Sequence, residues 1–132
     1  MNSSDPIQQK TWVKQIMSNS IVSVDSSVTA TNAAKMMEDT GVGAVIVLEN
    51  NLPVGIVTDR DFATRIAAND LPLNTAVENI MSKPLITINH DEPISAAAER
   101  MTGKKIRKLA VTENGKMIGI VTSTDLVTQL AK

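Results

Sequence analysis

The chain carries an internal duplication, and this repeat constrains its fold more than any other feature of the sequence. The stretch Gly55-Ile-Val-Thr-Asp-Arg-Asp61 returns 64 residues later as Gly119-Ile-Val-Thr-Ser-Thr-Asp125. The same offset places Ile16-Met17-Ser18 on Ile80-Met81-Ser82 without a gap. A chain of 132 residues has the length of one domain, so two repeats of about 60 residues must share a core.

Composition excludes several classes of function. The net charge is −1, so bulk charge gives no support for a protein that binds DNA or a membrane surface. The chain has no cysteine, which excludes disulfides, thiolate metal sites and thiol nucleophiles. No stretch approaches the ~18 apolar residues of a membrane span, and the N-terminus lacks a signal-peptide pattern. We therefore expect a cytoplasmic protein that binds no metal and no membrane.

Aromatic residues are scarce, since Trp12 and Phe62 are the only two in the chain. This scarcity argues against nucleic-acid binding, because single strands usually bind by stacking their bases on aromatic side chains. It also predicts a core built from Val, Ile, Leu, Met and Ala.

Hydrophobic patterning predicts the order β-α-β-β-α in each repeat, behind a short helical lead-in. The predicted strands are 21–24, 44–48 and 53–57, and then 85–88, 109–112 and 117–121. The predicted helices begin near residues 29, 58, 95 and 124, and the one at 95 is expected to end at residue 101. Three strands with two helices on one face cannot bury both faces of the sheet alone. We therefore expect an α/β (α+β) fold in which the repeats pack as a pseudo-two-fold pair.

The predicted domain boundaries follow from this order of elements. We expect a flexible N-terminal tail at 1–10, a first repeat at 11–70 and a second repeat at 71–132.

The repeat length, the order of elements and the doubled motif Gly-x-x-Thr-x-x-Asp together resemble the CBS (cystathionine β-synthase) domain family. The tandem is similar to the CBS pair known as a Bateman module, and the resemblance covers nearly the whole chain from Thr11. The lead-ins that end in Met17-Ser18 and Met81-Ser82 resemble the start of a CBS domain. The resemblance implies a cleft between the repeats that binds an adenine nucleotide or S-adenosylmethionine.

The resemblance also implies roles for the two Thr-x-x-Asp motifs. Asp61 and Asp125 are expected to accept hydrogen bonds from ribose hydroxyls, and Thr58 and Thr122 to contact ribose or phosphate. These roles are physically reasonable, because a carboxylate can accept from both hydroxyls of a vicinal diol and a helix N-terminus favours a phosphate.

The adenine wall implied by the resemblance combines the starts of the first strands with the segments before the second strands. Its residues are Ile21, Val22, Ser23, Val42, Gly43 and Ala44 in the first repeat, and Leu85, Ile86, Thr87, Lys105, Ile106, Arg107 and Lys108 in the second. Each cleft is expected to pair the motif of one repeat with the wall of the other. The basic run 104–108 then faces Thr58 and Asp61, where it neutralises phosphates together with Arg60. The opposite cleft suits a less charged ligand or stays empty.

Two simpler interpretations remain open at this point. Each Thr-x-x-Asp motif also satisfies a helix capping box, which stabilises a helix by about 0.5–2 kcal/mol and can coexist with ligand binding. The basic run is alternatively a solvated loop before a strand.

The function predicted from these features is a stand-alone CBS pair that senses AMP, ADP or ATP as a regulatory ligand and needs no cofactor. It signals to an unidentified protein target or through self-assembly. The resemblance implies a homodimer, for which the small-residue faces would allow close approach of helices: Ala33, Ala34 and Met37 in the first repeat, and Ala97, Ala98 and Met101 in the second. The alternatives are an S-adenosylmethionine binder and a ligand-free interaction or dimerisation module. One histidine and no phosphate-binding loop argue against an enzyme.

Overall fold

The structure is a computed structural model that describes residues 11–132, so the tail predicted for 1–10 lies outside the described residues. The chain divides into two compact units. The first unit is Ile21–Leu85, and the second unit combines residues 11–20 with Ile86–Lys132.

The elements confirm the predicted order β-α-β-β-α in both repeats. They are α1 (Val13–Ile16), β1 (Ser23–Asp25), α2 (Ala30–Thr40), β2 (Ala44–Glu49), β3 (Leu52–Thr58), α3 (Asp59–Asp61), β4 (Thr87–Asn89), α4 (Ile94–Lys104), β5 (Lys108–Glu113), β6 (Lys116–Thr122) and α5 (Ser123–Leu130). α3 continues as a π-helical segment, Phe62–Ala67, and a 3-10 turn, Val77–Asn79, precedes β4.

Each unit contains one three-stranded mixed sheet, β1-β2-β3 or β4-β5-β6. The first two strands of each sheet run parallel, and the second and third form an antiparallel hairpin. The duplication extends to fine detail, because the hairpin register shifts at Val47/Leu48 in one unit and at Val111/Thr112 in the other. The fold class predicted from the sequence is therefore confirmed.

Several element boundaries differ from the prediction for identifiable reasons. The first strands begin at Ser23 and Thr87, two residues later than expected, because the ladder starts where β2 and β5 supply a paired residue. α4 extends to Lys104, beyond the predicted end at residue 101. It includes Gly103 and ends where Lys105 adopts a left-handed conformation with φ +57°.

The core of each unit is aliphatic, as the composition predicts. The first core contains Val24, Ala30, Ala33, Met37, Val45, Val47, Val57, Ile66, Val77, Ile80 and Met81. The second contains Val13, Ile88, Ala97, Met101, Leu109, Val111 and Val121. Ala33 and Ala97 are both fully buried in these cores, and of the four alanines expected at a dimer contact only Ala34 and Ala98 are exposed. The small-residue faces therefore pack mainly within their own units.

The lead-ins pack against the opposite repeat from the one they precede in sequence. Ser18 exchanges two backbone hydrogen bonds with Ile120 of β6, at 2.8 and 2.9 Å. Ser82 forms the corresponding pair with Ile56 of β3, at 2.8 and 3.1 Å. Each lead-in thus extends the outer edge of the sheet that the other repeat forms. The prediction grouped each lead-in with its following repeat, and the division between residues 70 and 71 stays a prediction about the sequence repeats alone.

The motif glycines are required by this exchange. A Cβ atom on Gly119 would lie 2.7 Å from the Ser18 carbonyl oxygen and 2.8 Å from Met17 Sδ. A Cβ atom on Gly55 would lie 2.6 Å from Met81 Sδ and 2.9 Å from the Ser82 carbonyl oxygen. In each unit, therefore, the Met-Ser signature of a lead-in contacts the glycine of a Gly-x-x-Thr signature.

Candidate functional site

The first Thr-x-x-Asp motif joins the end of β3 to α3, and its carboxylate is fully occupied. Asp61 Oδ2 accepts hydrogen bonds from Thr58 N at 2.8 Å and Thr58 Oγ1 at 3.3 Å. Its other oxygen, Oδ1, accepts from Arg65 Nε at 3.2 Å and from Ser82 Oγ at 3.3 Å. Asp61 is only 5 % exposed. The structure thus surrounds this aspartate with four protein donors.

The second motif joins β6 to α5 and leaves its carboxylate more open. Asp125 Oδ2 accepts a hydrogen bond from Thr122 N at 2.8 Å, and Asp125 N donates to Thr122 Oγ1 at 3.1 Å. These two bonds are a complete capping box. Asp125 is half-buried, and within residues 11–132 its Oδ1 atom accepts no hydrogen bond. One carboxylate oxygen therefore remains available at the N-terminus of α5.

The basic run lies beside the second motif within the second unit. The Arg107 carbonyl accepts a hydrogen bond from Ser123 N at 2.8 Å, and Lys108 is the ladder partner of Thr122. Lys105 and Arg107 are exposed and Lys108 is half-buried. In the described part of the chain none of these three cations forms an ion pair with a carboxylate. That these three cations face the first motif stays a prediction. A phosphate contact by the exposed Arg60 also stays a prediction.

The predicted wall residues divide between core packing and exposure. Val22 and Val42 pack against the first core, and Ile86 and Ile106 pack against the second. The Val22 carbonyl accepts from Ile46 N at 2.8 Å and the Ile86 carbonyl from Ala110 N at 3.0 Å, so these two backbone acceptors already serve the sheets.

The remaining wall residues differ in accessibility. Ser23, Gly43 and Thr87 are exposed, Ile21 and Leu85 are half-buried, and Ala44 is buried. Exposed polar groups are therefore available at the starts of β1 and β4, where the resemblance placed contacts to adenine.

Arg65 is a site residue that the sequence analysis missed. It follows Asp61 by four residues and forms an ion pair with that carboxylate. In this pair the Arg65 side chain is half-exposed and the Asp61 side chain is 7 % exposed. The signal was present in the sequence, because acid and base four residues apart share one face of a helix.

Glu92 and Asp25, which lie outside the two motifs, have lowered pKa values. In the second unit the Arg100 guanidinium forms two hydrogen bonds with the Glu92 carboxylate, at 3.1 and 3.2 Å. This contact holds the pKa of Glu92 below its ordinary value. In the first unit a hydrogen bond from the Ser27 hydroxyl lowers the pKa of Asp25.

Other ligand-binding features are few in the described residues. Residues 11–132 contain no group of three metal-ligating side chains, and no helix among them has the length and apolar character to cross a membrane. An open pocket of about 430 Å³ in the first unit is lined by one side of α2 with Phe62 and Leu73, and it includes none of the predicted site residues.

Comparison with known proteins gives a match to the family model described as CBS domain, over residues 13–68 and again over 77–132. YhcV of Bacillus subtilis, a CBS domain-containing protein, is 32 % identical over 114 residues, which are 86 % of this chain and 81 % of that protein. An uncharacterized protein of Methanopyrus kandleri is 32 % identical over 118 residues, 87 % of this chain, but the chain spans only 60 % of its length. The chain also matches 28 % of an arabinose 5-phosphate isomerase of Francisella tularensis, with 37 % identity over 92 residues, so similar segments occur inside enzymes.

Solved structures share the fold. A conserved protein from Pyrococcus horikoshii superposes with a TM-score of 0.87 and 29 % identity, covering 94 % of this chain and 95 % of that one. A candidate signal-transduction protein with CBS domains from Burkholderia ambifaria gives 0.85 and 29 %, covering 91 % and 93 %. The CBS domain pair of protein MJ0100, in complex with 5′-methylthioadenosine and S-adenosyl-L-methionine, gives 0.81 and 28 %, covering 92 % and 97 %.

Proposed function

Because the chain belongs to the CBS domain family as a tandem pair of CBS domains, we propose that it is a regulatory sensor of an adenosyl ligand. The ligand is an adenine nucleotide, AMP, ADP or ATP, and its binding changes the conformation or the assembly of the protein. A partner protein or a second copy of the chain then responds to that change.

The observation that carries this proposal is the half-buried carboxylate of Asp125 beside a cationic segment of the same unit. A carboxylate with an available oxygen suits the vicinal hydroxyls of ribose, since hydrogen bonds to a charged acceptor are strong. Arg107 and Lys108 lie beside the N-terminus of α5 through their backbone contacts with Ser123 and Thr122, and Lys105 precedes them in the same basic run. Positive charge and a helix N-terminus both favour an anionic group such as phosphate.

The charge of this segment also favours a nucleotide over S-adenosylmethionine. The sulfonium of S-adenosylmethionine is positive, so it would be repelled by the same cations that attract phosphate. The MJ0100 pair, which holds 5′-methylthioadenosine and S-adenosyl-L-methionine, supports the adenosyl part of the proposal. The phosphate part rests on the basic run of this chain.

Self-assembly is proposed through the exposed apolar side chains of α5. Val127 is 64 % exposed and Leu130 is 83 % exposed, and they lie three residues apart on one face of the helix. A homodimer would remove this surface from water. Replacing both residues with serine is expected to shift the protein towards monomer in sedimentation velocity, whereas Leu52→Ser, at an exposed residue of the first unit, is the matched control.

The decisive experiment is calorimetric titration of the protein with AMP, ATP and S-adenosylmethionine. Asp125→Asn keeps a side-chain oxygen for the Thr122 cap but removes the charge and one acceptor, so it is expected to abolish nucleotide binding while the protein stays folded. Asp61→Asn is the matched variant in the other motif. Nucleotide binding that survives Asp125→Asn would place the ligand elsewhere.

A ligand-free interaction module is the second candidate, and the capping boxes favour it. Thr58 with Asp61 and Thr122 with Asp125 already serve the helices that follow them. If no ligand binds the folded protein at millimolar concentration, the motifs act as helix caps. The chain then acts by contact with another protein. The cytoplasmic compartment expected for this chain stays a prediction.

A further inference from the structure

The two Thr-x-x-Asp motifs share their threonine and their aspartate, but the residue four positions after the aspartate differs in charge. The repeat offset aligns Arg65 with Gln129, so the first motif is followed by a cation and the second by a neutral amide. The same offset aligns Ser82 with Ser18. These two positions account for the different surroundings of the two aspartates.

In the first motif both side chains act on the same carboxylate oxygen. Arg65 Nε and Ser82 Oγ both donate to Asp61 Oδ1, at 3.2 and 3.3 Å. The other oxygen is held by the backbone and hydroxyl of Thr58. A ribose diol can reach this carboxylate only by displacing protein donors, among them a charged one.

In the second motif neither counterpart engages the aspartate. The Ser18 hydroxyl accepts a hydrogen bond from Ser20 N at 3.2 Å, and within the described residues Gln129 makes no hydrogen bond with Asp125. Among residues 11–132, no protein donor reaches Asp125 Oδ1, and Asp125 is more exposed than Asp61. The two carboxylates therefore differ in availability, although each accepts a hydrogen bond from the backbone N–H of its motif threonine.

We infer that Arg65 closes the first motif to ligand and that Gln129 leaves the second motif open, so that each chain binds one adenine nucleotide, at Thr122 and Asp125. This inference rests on the proposed function and adds the residue that selects the site. Arg65 acts as an internal substitute for the ligand: its guanidinium occupies the carboxylate that a ribose would otherwise use. This assignment reverses the preference for Asp61 that the basic run suggested from sequence alone.

The fold is expected to tolerate changes at Arg65, because a half-exposed ion pair within one helical turn contributes little to stability. Asp61 keeps its three hydrogen bonds from Thr58 and Ser82 when Arg65 is replaced. Glutamine at position 65 has a high helix propensity and reproduces the residue found in the other repeat. A reciprocal exchange of the two residues therefore tests site selection with little effect on folding.

The experiment titrates AMP and ATP into the wild-type protein, Arg65→Gln, Gln129→Arg and the double exchange, and measures stoichiometry and affinity by calorimetry. The wild type is expected to bind one nucleotide per chain and Arg65→Gln two. Gln129→Arg is expected to bind at least about tenfold more weakly, the effect of losing one hydrogen bond to a charged group. The double exchange is expected to bind one nucleotide, which Asp61→Asn removes and Asp125→Asn does not.

Two results would overturn the inference while leaving the proposed function intact. One is two equal sites in the wild type, and the other is binding that neither exchange changes in stoichiometry or affinity. If no variant binds either nucleotide, including Arg65→Gln, the proposed function fails together with the inference. Thermal unfolding of each variant within about 4 °C of wild type confirms that the fold is retained.

Discussion

Replacing Gly119 with alanine tests the contact between a lead-in and the sheet that it completes. The new methyl group would lie 2.7 Å from the Ser18 carbonyl oxygen and 2.8 Å from Met17 Sδ. The methionine side chain is flexible, but the carbonyl belongs to a backbone held by two hydrogen bonds to Ile120. The clash can therefore be relieved only by moving the lead-in away from β6.

The expected loss of stability follows from these contacts. Overpacking typically costs about 1–3 kcal/mol, and each of the two hydrogen bonds with Ile120 contributes about 1 kcal/mol. If one or both of these bonds are lost, the free energy of unfolding falls by about 2–5 kcal/mol. For a chain of this length that change lowers the Tm by roughly 8–20 °C.

Gly103→Ala is the matched control, because Gly103 lies within α4 and a Cβ atom there meets no atom within 4 Å. Alanine in a helix is favoured over glycine by about 0.5–1 kcal/mol, so this variant is expected to be slightly more stable than wild type. Urea and thermal unfolding followed by circular dichroism measure both changes. If Gly119→Ala unfolds at the same temperature as Gly103→Ala, the lead-in does not hold the glycine contact and the reasoning is refuted.

Three further predictions concern local stability. Thr29→Ala removes the hydroxyl that accepts from Asn32 N at 3.2 Å, and it is expected to lower the free energy of unfolding by about 1 kcal/mol in urea titrations; no change would contradict the cap. Lys105→Gly is expected to raise the thermal midpoint, because glycine adopts φ +57° without the strain of a side chain, whereas Lys105→Ala is not. Arg100 lowers the pKa of Glu92 in the folded state, so the unfolded state binds more protons as the pH falls. The ion pair's contribution to the free energy of unfolding is therefore present above the ordinary pKa of Glu92. It is lost as the pH falls through the lowered value. Glu92→Gln is therefore expected to flatten the acid limb of stability against pH, and an unchanged limb would show that the pair contributes nothing.

Much of the fold was predictable because the repeat supplied each pattern twice. Apolar runs and the turns between them predict the strands of both sheets, since the apolar run 44–48 has a counterpart at 109–112. The starts of β1 and β4 were less predictable, because Ile21 and Val22 have strand propensity but lie before the ladder begins. Propensity does not report where a pairing strand ends.

The candidate site was predictable in its motif but not in its occupancy. The Thr-x-x-Asp spacing identifies two helix starts, and both are found where expected. The difference between the two carboxylates depends on Arg65, whose effect on Asp61 requires a helix that begins at Asp59. The exchange of lead-ins was not predictable from the sequence. A lead-in has the same position in the repeat whether it packs on its own repeat or on the other one, so the sequence pattern does not distinguish the two arrangements.

The exchange of lead-ins has a consequence for how such a chain could arise. A single copy of the repeat has an outer strand whose glycine leaves room for a Met-Ser segment. The copy's own Met-Ser segment, however, pairs with the outer strand of the other copy. Two separate copies would therefore complete each other only as a swapped dimer, whose folding depends on protein concentration. Joining the copies in one chain makes the association intramolecular, so its effective concentration is set by the connecting segment and no longer by the number of molecules in the cell.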